Sequence, residues 1–335
     1  MEAKRADKIP AGDHWQFEPK WDGFRAIVFR SDDTIAIQSK AGQPLTRYFP
    51  ELVDAFLSLK PKKFILDGEI VVPVGGHLSF DDLLQRIHPA ESRVRKLAAE
   101  SPANYFAFDI LYAKGKALNE RPIEERREKL EAFFQSAGNH ERVHLSPATT
   151  DRAVGTAWFN KFGAVGLDGV MAKRLGESYH SGDRDGMVKV KHLKTADCVV
   201  GGFRYGEGTK VAGSLLLGLY DEKKRLVFIG HTSSMKKDDR GKLTKELESM
   251  RAENPFEVRV PGGPSRWATG KSGDWEPVRP DLVCEVEYDY FSQGRFRHGS
   301  KFLRWRPEKD PRSCTMDQVS SSRSRGKSLV SMFKG

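Results

Sequence analysis

Lys20 opens the string Lys20-Trp21-Asp22-Gly23, with Arg25 two positions on. A lysine amine attacks phosphorus only when deprotonated, so a nucleophilic lysine needs neighbouring cations or desolvation to release its proton. A carboxylate two residues away can orient the amine, and Gly23 allows the backbone to turn tightly against a ligand. An exposed turn with a simple ion pair would satisfy the same four positions. A second pattern stands at Lys189-Val190-Lys191. Period-two spacing on a strand puts both lysines on one face, where they can meet one anion together or form a solvated edge.

The elements that must position these residues are legible as alternation and periodicity. Residues 17–30 join the K-W-D-G turn to a strand, and residues 35–39 form another strand. Phe49, Leu52, Val53, Phe56 and Leu57 share a helical face. Residues 64–73 read as a strand with an acidic turn in its middle, and residues 104–112 as a further strand. Residues 79–101 read as one helix and 123–137 as another. A helix ending near residue 163 leads into a strand containing Asp168 and Lys173, and residues 187–192 alternate as a strand. After about residue 194 short strands dominate, with a hairpin over 214–230 and one helix over 237–250. This is the pattern of a small Greek-key barrel of the OB type, with sandwich arrangements open on pattern alone. The end of the chain is rich in Ser and Arg and reads as a mobile basic tail.

Lys plus Arg is 56 against 46 acidic residues, a net charge of +10 that favours a polyanionic partner. Three well-separated cysteines fit neither a disulfide framework nor a four-ligand zinc site, so free thiols in a reducing cytoplasm are expected. No stretch approaches a signal peptide or the ~20 apolar residues of a membrane span. A cytoplasmic, nucleoid-associated monomer is the expectation.

In order and spacing these elements resemble the covalent nucleotidyltransferase superfamily of DNA ligases, RNA ligases and capping enzymes. The likeness runs from about residue 17 to about 312. It is closest to the small bacterial ATP-dependent DNA ligases, the stand-alone C-type enzymes and the ligase module of D-type end-joining proteins. Lys20 falls at the lysine that carries AMP. Ser39-Lys40-Ala41-Gly42 falls where the family has S-R-x-G, with Lys40 as the residue that grips the 5′-phosphate of a nick. Asp67-Gly68-Glu69 resembles the D-G-E motif, and Phe108-Asp109 the F-D motif whose ring stacks on adenine. Asp168 to Lys173 resembles E-G-[IV]-[VM]-x-K with Asp for Glu, and Lys189 and Lys191 the K-x-K motif. Arg304, Arg306 and Lys309 resemble the R-x-D-K element, with Glu308 for Asp.

The resemblance implies an α+β fold: a nucleotidyltransferase domain of antiparallel sheets with flanking helices over 1–193, an OB-fold barrel over 194–312, and a tail over 313–335. It implies ATP as cofactor, Mg²⁺ or Mn²⁺ held by Glu69 and Asp168, and nicked duplex DNA as partner. Lys20, Lys189, Lys191 and Arg306 would be catalytic. Glu18 would read the adenine edge and Arg25 the ribose or nick terminus, with Glu69, Phe108, Lys173, Arg304 and Lys309 completing the nucleotide site. Lys40, Arg295 and Arg297 would touch DNA, as would the basic loops at Lys236-Lys237 and Arg240. Ku or a repair polymerase would be the protein partners. An RNA ligase, a GTP-using capping enzyme, or a non-catalytic DNA-binding descendant of a ligase are the rival expectations.

Overall fold

The computed structural model describes residues 2–138, 140–162, 167–236, 238–261 and 274–319. They fall into two compact units, Met1–His192 and Leu193–Ser322.

In the first unit the strands are β1 (Lys4–Arg5), β2 (Trp15–Lys20), β3 (Phe24–Ser31), β4 (Thr34–Ser39), β5 (Lys63–Val71), β6 (Pro73–Val74), β7 (His77–Leu78), β8 (Asn104–Ala113), β9 (Lys116–Ala117), β10 (Val143–Leu145), β11 (Gly169–Arg174) and β12 (Met187–Lys191). The helices are α1 (Pro50–Ser58), α2 (Phe80–Gln85), α3 (Glu91–Glu100), α4 (Ile123–Ala137) and α5 (Arg152–Phe162). One sheet has the order β1-β12-β11-β2, the other β10-β8-β5-β3-β4 with β9 beside β8. Strands β3, β5 and β8 are antiparallel, whereas β1 joins β12 in parallel.

Packing follows the alternation. Phe49, Leu52 and Phe56 of the α1 segment meet Phe64 and Leu66 of β5 and Leu130 and Phe133 of α4 in one core. Each such fully buried side chain contributes about 1.5–3 kcal/mol. Phe17, Val170 and Ala172 pack the first sheet against Trp158 and Phe159 of α5.

Two expectations change here. The helix expected over 79–101 is broken into α2 and α3. Pro89 lacks an N–H and disfavours helical geometry at His88, so the chain cannot run on through it. The acidic turn expected within residues 64–73 is instead a continuous strand. Asp67, Gly68 and Glu69 stay in β5, and the irregularity is a register shift against β8 between the Asp67 and Gly68 pairings.

In the second unit β13 (Lys194–Tyr205), β14 (Ala212–Tyr220), β15 (Leu226–Thr232), β16 (Glu276–Pro277), β17 (Val283–Tyr288), β18 (Phe291–Ser292), β19 (Arg295–Phe296) and β20 (Lys301–Trp305) accompany α6 (Arg240–Ser249). The sheet order is β15-β14-β13-β17-β20, and β14–β15 is the expected hairpin. The outer strands β15 and β20 approach at a parallel bridge, Thr232 to Ser300, where Ser300 N–H donates to His231 O at 3.0 Å. Among the described residues no continuous ladder closes the ring, giving the partly open form of an OB-type barrel. Cys198, Cys284 and Cys314 are buried, free thiols.

The first residues of the expected tail, through Val319, pack into the second unit. Cys314 and Val319 are buried in the second unit's core, and Tyr220 N–H donates to Cys314 O at 2.8 Å. Residues 320–335, the remainder of the expected tail, lie outside the described residues.

Candidate active site

Lys20 is the last residue of β2, and β11 places Gly169 opposite it. Gly169 has φ +147°, and a Cβ there would lie 1.9 Å from Val190 O, so only glycine allows β11 and β12 this close an approach. Gly23 is needed for contact: its added Cβ would stand 2.1 Å from Ile70 O of β5. Between them Trp21 is buried, stacked on Phe106 at 3.8 Å and donating Nε1–H to Ser146 Oγ at 2.9 Å. The turn that presents Lys20 is therefore clamped on both sides.

Glu18, Lys20, Arg25, Lys40, Glu69, Phe108, Lys173 and Lys189 line one pocket. Every lining residue comes from the first unit. Lys20 Nζ donates to Asp168 Oδ2 at 2.6 Å, and Lys191 Nζ lies 3.2 Å from the same oxygen. Burial alone would raise the Asp168 pKa, but Lys20 and Lys191 outweigh it and hold the carboxyl below its ordinary value. Lys189 is depressed by burial first, then by Lys191, Lys20, Lys40 and Arg184. Among the described residues its side chain has no hydrogen bond or ion pair. An anion set among these cations would be stabilised by all of them at once.

The Glu69 side chain likewise has no hydrogen bond or ion pair among the described residues. Burial pushes its pKa up to about 8, with Lys20 and Arg25 opposing. A carboxylate kept from its charge in this way gains by meeting a cation. Asp168 Oδ2 is already held by Lys20 and Lys191, and among the described residues no group of three or more His, Cys, Asp or Glu side chains could hold a metal ion.

Glu18 faces the pocket with both oxygens already engaged. Oε1 accepts from Gln16 at 2.7 Å and Oε2 lies 2.8 Å from Lys173 Nζ. Lys173 also sits 4.7 Å from the Phe108 ring centroid, and Arg25 lies 5.7 Å from it. The half-buried ring of Phe108 is thus held by cations at the pocket edge. Arg25 grips the fully buried Asp67 with two bonds, Nε at 3.1 Å and Nη2 at 2.6 Å. Lys40 pairs with Glu2 at 2.8 Å, as does Arg184 at 2.9 Å.

The remaining expected residues belong to the second unit. Arg306 donates to Asp197 at 2.8 Å and to Glu308 at 2.5 Å, Lys309 lies 3.4 Å from Asp197, and Arg304 donates to Glu285 at 2.7 Å. Gln293 and Gly294, both at positive φ, form a two-residue turn between β18 and β19 that presents exposed Arg295. Arg297 lies 5.6 Å from the Tyr290 ring. Phe296 is core rather than contact surface. Arg240 spends its guanidinium on Ser233 O and Met235 O, which anchor a loop instead of facing outward. Lys236 is exposed, and Lys237 lies outside the described residues.

Sequence reasoning missed Tyr179 and Arg126. Arg126 is fully buried and bidentate on Asp109, at 2.8 and 2.9 Å. Neither carried a signal: Tyr179 lies in a glycine- and aspartate-rich turn, and Arg126 reads as one charge of a polar helix.

Residues 1–191 match the family model described as "ATP dependent DNA ligase domain", and residues 208–309 the "ATP dependent DNA ligase C terminal region". The chain is 45% identical over 330 residues to DNA ligase C1 of Mycolicibacterium smegmatis, covering 95% of this chain and 92% of that protein. It is 31% identical over 303 residues to the multifunctional non-homologous end joining DNA repair protein LigD of Mycobacterium tuberculosis, covering 89% of this chain and 37% of that protein. Among solved structures, mycobacterial DNA ligase D complexed with ATP and MES shares 27% identity with a TM-score of 0.50, covering 96% and 97% of the two chains. No described helix is long and apolar enough to cross a membrane.

Proposed function

The chain belongs to the ATP-dependent DNA ligase family, and from that premise we propose how its residues divide the work of sealing a nick. The observation that carries the reading is the ring of cations around Lys20, bridged by the single carboxylate of Asp168.

In the first step Lys20 Nζ bonds to the α-phosphorus of ATP and the bond to pyrophosphate breaks. Asp168 Oδ2 holds the amine in place and is an acceptor within hydrogen-bond distance for the proton it must lose. Lys189 and Lys191 neutralise the charge gathering on the α-phosphate. Phe108 offers a stacking face to the base, with Lys173 and Glu18 fixing that wall. Arg304, Arg306 and Lys309 meet the departing pyrophosphate. In the second step AMP passes from Lys20 to the 5′-phosphate of the nick, gripped by Lys40. In the third the 3′-hydroxyl attacks that phosphate and releases AMP. Arg295 and Arg297 contact the duplex backbone, which positions it without reading sequence. Glu69 and Asp168 would hold Mg²⁺ or Mn²⁺, which supplies Lewis-acid stabilisation of phosphate oxygens. A role in end joining, with Ku or a repair polymerase as partners, is suggested by the likeness to LigD.

Incubation with α-labelled ATP or GTP, with and without a nicked duplex, tests the reading. Wild type is expected to take label from ATP onto Lys20 and to seal the nick, while Lys20→Ala does neither. Label from GTP alone, or equal lack of label in both proteins, overturns it.

A further inference from the structure

Tyr179 belongs to the loop between β11 and β12, yet its phenol reaches the wall of the nucleotide pocket. Its hydroxyl donates to Asp67 Oδ2 at 2.7 Å and accepts from Arg25 Nη2 at 3.2 Å. Asp67 is completely buried, and the same Oδ2 also receives Arg25 Nη2 at 2.6 Å. The three groups form a closed triangle in which each donor and acceptor role is fixed. The phenol has one proton, given to the carboxylate, so its oxygen lone pairs face the guanidinium.

The other side of the phenol is equally constrained. The Arg126 guanidinium lies 5.7 Å from the ring centroid and bonds to Asp109, the residue after Phe108. Arg126 also donates to Glu177 O at 3.2 Å, while Tyr179 N–H donates to Asn119 O at 2.7 Å. Two ion pairs with buried carboxylates, Arg25–Asp67 and Arg126–Asp109, therefore stand beside the pocket, and Tyr179 touches both.

We propose that Tyr179 is a positioning residue, one that holds the Arg25 guanidinium in its working plane through the Asp67–Tyr179–Arg25 triangle. Tyr179 acts at both ends of the Nη2–Oδ2 bond: its hydroxyl donates to Asp67 Oδ2 and so orients the carboxylate that Arg25 grips, and it accepts from Arg25 Nη2. Tyr179 itself need not touch substrate. This inference rests on the reading that Arg25 serves the ligation reaction, so the experiment must separate the two.

Self-adenylation with labelled ATP and sealing of a pre-adenylated nick are measured separately for wild type, Tyr179→Phe, Arg25→Gln and the double variant, each with a thermal melt. Arg25→Gln is expected to raise KM in one of the two steps. Tyr179→Phe should raise KM in that same step by about tenfold, the scale of one hydrogen bond to a charged pair, with kcat changed by less than about threefold. In the double variant the Tyr179→Phe change should add less than about twofold, because its target is gone. An unaltered Tyr179→Phe enzyme beside an impaired Arg25→Gln overturns the role of Tyr179 and leaves that of Arg25 standing. So does a full tenfold loss added in the double variant, or a loss that tracks a lowered melting temperature. An unimpaired Arg25→Gln overturns the reading of Arg25 and this inference with it.

Discussion

Replacing Glu69 with glutamine should stabilise the protein, and the gain should depend on pH. Burial carries the Glu69 pKa from an ordinary 4.5 to about 8. Between those values the folded protein binds a proton that the unfolded chain has released. Stability therefore falls as pH rises from about 4.5 through about 8, then levels off. The full displacement corresponds to a ceiling of about 5 kcal/mol, at about 1.4 kcal/mol per pH unit. Glu69 is partly open to the pocket and water screens it, so about 2 kcal/mol is the expected share. Glutamine keeps the shape of the protonated acid and cannot ionise. Wild type and Glu69→Gln should then melt together near pH 5, and the variant should melt about 4–8 °C higher at pH 9. At pH 8, Mg²⁺ or Mn²⁺ should raise the melting temperature of wild type and leave the variant unmoved, because a cation offsets the charge that burial opposes. Self-adenylation should be lost in Glu69→Gln throughout. A melting difference that is constant from pH 5 to pH 9 would refute the argument, since nothing other than ionisation makes it grow.

Arg306→Ala should block self-adenylation more than sealing of a pre-adenylated nick; equal loss in paired assays of the two steps rules out a pyrophosphate role. Arg126→Met should cost about 3–5 kcal/mol in denaturant unfolding, because it strands Asp109 as an unpaired buried charge. Changing Asp109 to Asn in the same chain should recover part of that loss. Gly23→Ala should lower the melting temperature and abolish labelling of Lys20, since its new Cβ meets Ile70 O at 2.1 Å and neither backbone can yield cheaply. A fully active Gly23→Ala would show that the turn has room the contact denies.

The sequence by itself carried the order of motifs that marks the chain as a DNA ligase. Lys20, Lys189 and Lys191 could be singled out because they fall in the motif order that the chain shares with the ligase family; the spacing of each, taken alone, left a solvated turn or strand edge open. The hairpin of the second unit and helix α4 were legible because alternation and helical periodicity are local properties. The break at Pro89 was local too, and a stricter reading of the proline would have found it. Tertiary structure decided which carboxylate serves which cation. Glu18 and Asp22 each stand two positions from Lys20 in sequence, yet the carboxylate found on its amine is Asp168, 148 positions away, because β11 pairs with β2. Pairing settled the D-G-E segment as continuous strand with a register shift at Asp67 and Gly68 and Asp67 buried, and so brought Arg25 onto that carboxylate. Tyr179 and Arg126 could not be read at all. Their significance comes from burial beside Asp67 and Asp109, and burial is set by how sheets and helices pack, which no spacing along the chain records.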